Sequence, residues 1–345
     1  MHLSQPAIST NTTPEIKKLV DLAKMFLATN LALKPNKPIL LVTVPEMLEL
    51  EAVLWLSAIR EFSDSLEFFC VHDMQHSGEE PPEELIKVAN KAQLTILQTT
   101  HSLTHTQVGK QALFGGGRAL SLPGADMELI KLALQTDYVA LRALGTALEQ
   151  KLKVGKTMQI SSAQGTNLTA AIRQKGIEAE TGFLRAGEIG NLPSGEVFFA
   201  PILGSTNGTL VIDGSIADDV LDKPISIEII DGIATKFSGG EAAYRLEKKL
   251  THFGKKGLTV AEIGIGTNKN AKITNNLLEA EKAFGTVHVA FGNSSAIGGE
   301  NNVPIHIDGL VSEPTVWVND EVILENKIFI NLNFDNYLPA LSHSM

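Results

Sequence analysis

The chain is almost without cysteine: Cys70 stands alone among 345 residues. One thiol can form neither an internal disulfide nor a thiolate metal cluster. The chain is therefore expected in the cytoplasm, and any metal it holds must use His and carboxylates. Basic charge is also scarce, with 29 Lys+Arg against 39 Asp+Glu and a formal net charge of −10. Without a clustered Lys/Arg stripe, neither nucleic acid nor an anionic membrane is an expected partner. No run approaches the ~18 consecutive apolar residues that a spanning helix needs. The start, Met1-His2-Leu3-Ser4-Gln5-Pro6, lacks the charged and apolar regions of a secretory leader. Heptads, internal repeats and low-complexity tracts are missing too.

What is present reads as a globular protein: 43% hydrophobic and 20% charged residues can bury a sizeable core. The length predicts two domains, and the grammar changes near residue 155. Residues 1–155 alternate helix-like and strand-like segments. Thr13-Pro14-Glu15 starts a helix with an N-cap hydroxyl, Pro at the first helical position and an early acid. Short apolar runs at Pro38–Val44, Leu66–Val71 and Leu94–Gln98 are each followed by helical patterns, near 47–61, 82–92 and 106–114. Two more helices are expected within 126–153. This alternation predicts an α/β domain with a parallel sheet. Residues 156–345 instead show short strands punctuated by Gly, Asn, Asp and Pro, with hairpin signals at Asn207-Gly208 and Asp231-Gly232. Helices are expected only at 241–251 and 274–283. The second domain is expected to be mostly antiparallel β (α+β) and to bind metal.

The candidate ligands lie in that second part. His306-Ile307-Asp308 puts an imidazole and a carboxylate on one face of a strand. His288 lies in the strand-like Thr286–Gly292. Glu262 and Glu196 sit in apolar runs, where an unpaired carboxylate is costly. These three carboxylates and two imidazoles suit Zn, Mn, Co, Mg or Fe. The plainer readings are a hydrogen-bonded core histidine for His288 and strand-end glutamates facing solvent or pairing with Arg185. Elsewhere, His101/His105 and His72-Asp73 with His76 lack a matching Glu pattern, Gly115-Gly116-Gly117 reads as a turn, and Cys70 as a small buried hydrophobe.

The run Asn191-Leu192-Pro193-Ser194-Gly195-Glu196-Val197-Phe198-Phe199-Ala200-Pro201 resembles the NLPxGEVFxAP signature of the thermophilic aminopeptidase (aminopeptidase T and aminopeptidase S) family. Ala261–Asn268 resembles its ExGIGTN segment, Glu281–Gly292 its EKxxGTxHxAxG segment, and Pro304–Gly309 its HxD segment. Gly165-Thr166-Asn167-Leu168 is similar to its GTDL turn, and Ser102–Thr106 and Gly117–Gly124 also resemble family segments. The likeness implies a two-metal peptidase that releases amino-terminal residues, forms a homodimer, and holds its metals on Glu196, Glu262, His288, His306 and Asp308. Glu196 and Glu262 are the carboxylates it puts in catalysis. Metals would activate a water and stabilise the tetrahedral oxyanion.

Two departures from that pattern stand out. The peptidases carry a tyrosine a few residues after the first ligand His; here Asn293–Gly299 has none, and Ser295 is nearest in position. Only 17 residues separate His288 from His306, which implies a reduced pocket loop. The same fold resembles that of the 2,5-dihydroxypyridine ring-cleaving dioxygenases, in which two His and an Asp hold one Fe(II); His288, His306 and Asp308 would supply that triad. That alternative leaves Glu196 and Glu262 without ligand work. A third reading is a member that keeps fold and metal but has altered catalysis. The leading expectation is a metallopeptidase acting on peptides or a small molecule.

Overall fold

The computed structural model describes residues 13–48, 50–216, 219–221 and 223–332. The leader-free start expected at Met1–Pro6 lies outside the described residues. The chain divides into two compact units: Met1–Thr136 with Gly182–Ser194, and Asp137–Thr181 with Gly195–Met345.

The first unit is built on a five-stranded, fully parallel sheet. Its spatial order is Leu66–Cys70, Ile39–Thr43, Leu94–Gln98, Arg118–Ser121, Ile189–Asn191. Ile39–Thr43 and Leu94–Gln98 are buried at every position, as continuous apolar runs must be when helices cover a parallel sheet. Leu40, Val42, Leu97 and Ala119 pack against Leu85 and Ala89 of the Glu83–Ala89 helix and Val108 and Ala112 of the Gln107–Ala112 helix. The opening helix, Pro14–Thr29, is capped as expected: Thr13 Oγ1 accepts from Ile16 N at 3.3 Å. It buries Leu19, Val20, Ala23, Phe26 and Leu27.

The second unit contains two antiparallel sheets. The eight-stranded one includes the Ile225–Ile230 and Ile233–Ser238 hairpin, closed at Asp231-Gly232 with φ of 49° and 73°. Asn207-Gly208 is not a hairpin turn. It opens the strand Asn207–Ile212, and Asn207 Oδ1 instead accepts from Asp231 N at 2.8 Å, bracing the neighbouring turn. The seven-stranded sheet carries the candidate ligands. Its centre runs His306–Val311, Val287–Gly292, Val260–Gly266, Glu196–Phe199. Apolar residues of both sheets share one core, among them Ile160, Leu168, Leu210, Ile263, Val289 and Phe291.

The helix expected over 274–283 shrinks to Leu277–Ala280. The Glu279 carboxylate turns back to accept from Lys272 N and Thr274 Oγ1, both at 3.0 Å, and so holds the preceding residues as a loop. The expected fold class, a parallel α/β part followed by a largely antiparallel β part, holds. Among the described residues no helix is long and apolar enough to cross a membrane.

Candidate metal centre

Sheet register explains how five residues scattered between 196 and 308 come together. Glu262 and Asp308 both pair with Ala290, one from each side. In the next row His288 pairs with Gly264, and one row further Glu196 pairs with Gly266. Small residues thus stand beside the large polar ones and leave them room. The pairing slips between Val260 and Glu262, a bulge of the kind that re-aims a side chain beside a functional site. A Cβ added to Gly264 would lie 2.0 Å from His288 Nε2, so only glycine lets the imidazole lie over that strand.

Glu196, Glu262 and His288 are buried, and their donor atoms lie within 4.8 Å of one another; among the described residues this is the group of three ligand-type side chains that close. His288 Nε2 is 3.1 Å from Glu196 Oε2 and 3.3 Å from Glu262 Oε1. The other Glu262 oxygen, Oε2, faces His306 Nε2 at 3.6 Å, and His306 Nε2 lies 3.5 Å from Asp308 Oδ2. Glu262 therefore stands between the two imidazoles. His306 is the open member, its side chain 35% exposed. Its Nδ1 lies 2.7 Å from the Asn293 carbonyl; a carbonyl only accepts, so Nδ1 carries the proton and Nε2 faces the carboxylates.

A residue absent from the candidate set completes the centre. Lys282 is fully buried and donates to Glu196 Oε1 and Glu281 Oε1, each at 2.6 Å, with Glu180 Oε2 at 3.3 Å. Glu281-Lys282 opens the segment that resembles EKxxGTxHxAxG and lies in the helix expected at 274–283, but nothing in its spacing marks the lysine as buried.

The electrostatics describe a site built to hold positive charge. Burial opposes ionisation of Glu196, yet Lys282 and then His288 hold its carboxyl down at about 2. Burial likewise opposes the Asp308 carboxylate, and His306 outweighs it, again to about 2. Glu281 goes the other way: burial first, then the nearby carboxylates Glu196 and Asp308, raise it to about 8 despite Lys282. Burial disfavours both imidazolium ions, but Glu196 and Glu262 raise His288 well above its usual range. Asp308 and Glu262 push His306 up to about 10, a shift that solvent at its open edge tempers. Three acids and two imidazoles converge, with Glu196 Oε2 buried and facing His288 Nε2 at 3.1 Å. That donor set fits a divalent cation.

The structure brings all five sequence-predicted residues to one place. The tight group is Glu196, Glu262 and His288, with His306 joined to it through Glu262 and Asp308 through His306. Ser295 is exposed, its hydroxyl bonded to Asn293 Oδ1 at 2.7 Å. His101 Nδ1 lies 3.7 Å from Asp73 Oδ1 and joins no third ligand of this type among the described residues.

No curated protein sequence matches the chain. Among solved structures it is similar to 2,5-dihydroxypyridine dioxygenase from Pseudomonas putida KT2440, with a TM-score of 0.79, 19% identity, and coverage of 92% of this chain and 99% of that one. It is also similar to wild-type AmpT from Thermus thermophilus, with a TM-score of 0.67, 14% identity, and coverage of 91% and 99%. At such identities both likenesses concern the fold, and the second makes the aminopeptidase relation a distant structural one. The family model described as NicX, 2,5-dihydroxypyridine 5,6-dioxygenase, matches residues 64–330. This overturns the expectation of a metallopeptidase, and with it the hydrolase, protease and aminopeptidase assignments. The physical reason is that the motifs behind that expectation mark ligand types and fold, and a His/carboxylate cluster can hold an ion for either chemistry. The chain belongs to the 2,5-dihydroxypyridine 5,6-dioxygenase (NicX) family.

Proposed function

We propose that the protein is an Fe(II)-dependent dioxygenase that opens a hydroxylated pyridine or a closely similar ring. The observation that carries this reading is the family match over residues 64–330, which spans every member of the His/carboxylate cluster. The residues that would hold the ion are His288 and His306 through Nε2, with Glu262 between them and Asp308 and Glu196 flanking. Bound iron would supply oxygen activation and an anchor for ring hydroxyls. The protein's own groups do the rest. Glu262 sets the spacing of the two imidazoles. Lys282 donates to Glu196 Oε1 and keeps that buried carboxylate ionised, with Oε2 turned to His288 Nε2. The buried strands around His288 keep water from that side, while His306 faces the open edge. Cleavage between two ring carbons consumes one O2, and both oxygen atoms stay in the opened product, so no further reductant is needed.

Occupancy by two ions, of Zn, Co, Mn or Mg type, has one observation in its favour: Glu262 offers one oxygen to each imidazole. Metal analysis of the loaded protein separates the two cases. For the reaction itself, the protein is loaded anaerobically with Fe(II) and given 2,5-dihydroxypyridine in an oxygen electrode. Oxygen uptake matched to loss of the ring chromophore is expected. No uptake with iron bound, together with release of free amino acid from a leucyl peptide, would overturn the reading.

A further inference from the structure

The connection that runs from Gly292 to His306 is closed at its base, where these two residues pair and Asn293 N donates to Ile305 O at 2.7 Å. Inside it Asn301 is buried. Its Nδ2 donates to Gly292 O at 2.6 Å and to Lys256 O at 2.8 Å. Its backbone is tied as firmly: Asn301 N donates to Ser294 Oγ at 3.1 Å, and Asn301 O accepts from Ser294 N at 2.9 Å and Ser295 N at 3.1 Å. The residue clamped between Gly292 and Ser294 is Asn293, whose carbonyl accepts from His306 Nδ1.

We infer that Asn301 is a positioning residue for the metal centre: it fixes the Asn293 carbonyl, which keeps the proton on His306 Nδ1 and turns Nε2 toward Glu262 and Asp308. The inference rests on the metal-binding reading above. A ligating imidazole is held by the acceptor on its far nitrogen, and loss of such support costs roughly 10–100-fold in metal affinity. Its action is confined to one of the two imidazoles. His288 Nδ1 is buried without a hydrogen-bond partner, and what places that ring is the bare backbone of Gly264. Asn301 therefore acts on His306 and leaves His288 alone, which a merely structural role would not do.

The test is proton NMR of the full chain loaded with Co(II), where the N–H of each ligating imidazole gives a strongly shifted, exchangeable signal. The His306 signal is assigned as the one lost in His306→Gln. In Asn301→Ala the His306 signal is expected to broaden by faster exchange while the His288 signal persists, and the Co(II) Kd is expected to rise by roughly 10–100-fold. Asn301→Asp, nearly the same shape but unable to donate, is expected to behave alike and serves if the alanine variant does not fold. Unchanged signals and Kd in either folded variant overturn the inference, as does loss of both signals together. If the unaltered protein at saturating Co(II) shows no shifted imidazole signal, it is the metal-binding reading that fails.

Discussion

Gly264 shows how much the centre depends on an atom that is not there. A Cβ at this position would meet His288 Nε2 at 2.0 Å and Cε1 at 2.2 Å. Gly264→Ala is therefore expected to displace the imidazole, with a metal-affinity loss of at least about tenfold and an overpacking cost of about 1–3 kcal/mol. Titration calorimetry with circular dichroism checks both, and a variant that binds metal as before contradicts the placement. His306 supplies a pH prediction. Its pKa in the metal-free fold rises from 6.5 to about 10, so its charge stabilises the fold fully below 6.5, and that contribution is lost as pH rises through the folded value. A metal ion needs the neutral ring, so its affinity is expected to climb with pH across this window with release of protons. Calorimetry in buffers of different ionisation enthalpy reads that release; pH-independent affinity without protons contradicts it. At this scale His306 and Asp308 were readable in sequence, because period two puts them on one face and Glu262 stood out as an acid in an apolar run. Lys282 and Asn301 were not, since a lysine in an expected helix and an asparagine in a polar loop look solvated until long-range pairing buries them.

Among the elements, Val260–Gly266 is the organiser: it is buried along its whole length and flanked by the strands bearing Glu196 and His288. Lys282 adds a second tie, linking Glu180 and Glu196 on two strands with Glu281. Removing one partner of a buried ion network leaves the others uncompensated, and Lys282→Met is expected to cost about 3–5 kcal/mol. Chemical denaturation of the variant measures it; a loss under about 1 kcal/mol would contradict a stabilising network. Asp137 caps the Tyr138–Val154 helix through Val139 N and Ala140 N, at 3.1 and 3.0 Å, and Asp137→Ala is expected to cost about 1 kcal/mol by the same measurement. Elements with strong local grammar were readable: Ile225–Ile230 alternates cleanly, and Glu241–Thr251 buries Ala243, Leu246 and Leu250 on one face. The last strands, Pro314–Val318, Glu321–Glu325 and Ile328–Phe329, were not foreseen. Their turns use Asn319-Asp320 and Asn326-Lys327 at positive φ in place of glycine. The helix expected at 274–283 failed because Glu279 serves the loop before it.

For the whole molecule, a sheet gathers a centre from residues more than a hundred positions apart. The ligand types and their motifs were readable in advance because each carries its own local signature. The reaction was readable only as an alternative to peptide hydrolysis, because one set of imidazoles and carboxylates serves hydrolysis or oxygen chemistry according to the ion. The family match over residues 64–330 decides between them. The most direct test uses isotopically heavy oxygen gas with the Fe(II)-loaded protein and 2,5-dihydroxypyridine, followed by mass analysis of the product. A ring-opened product carrying both labelled atoms is expected from the unaltered protein and not from His306→Ala. An intact ring with iron bound, or a product whose new oxygen comes from water, would contradict the dioxygenase reading.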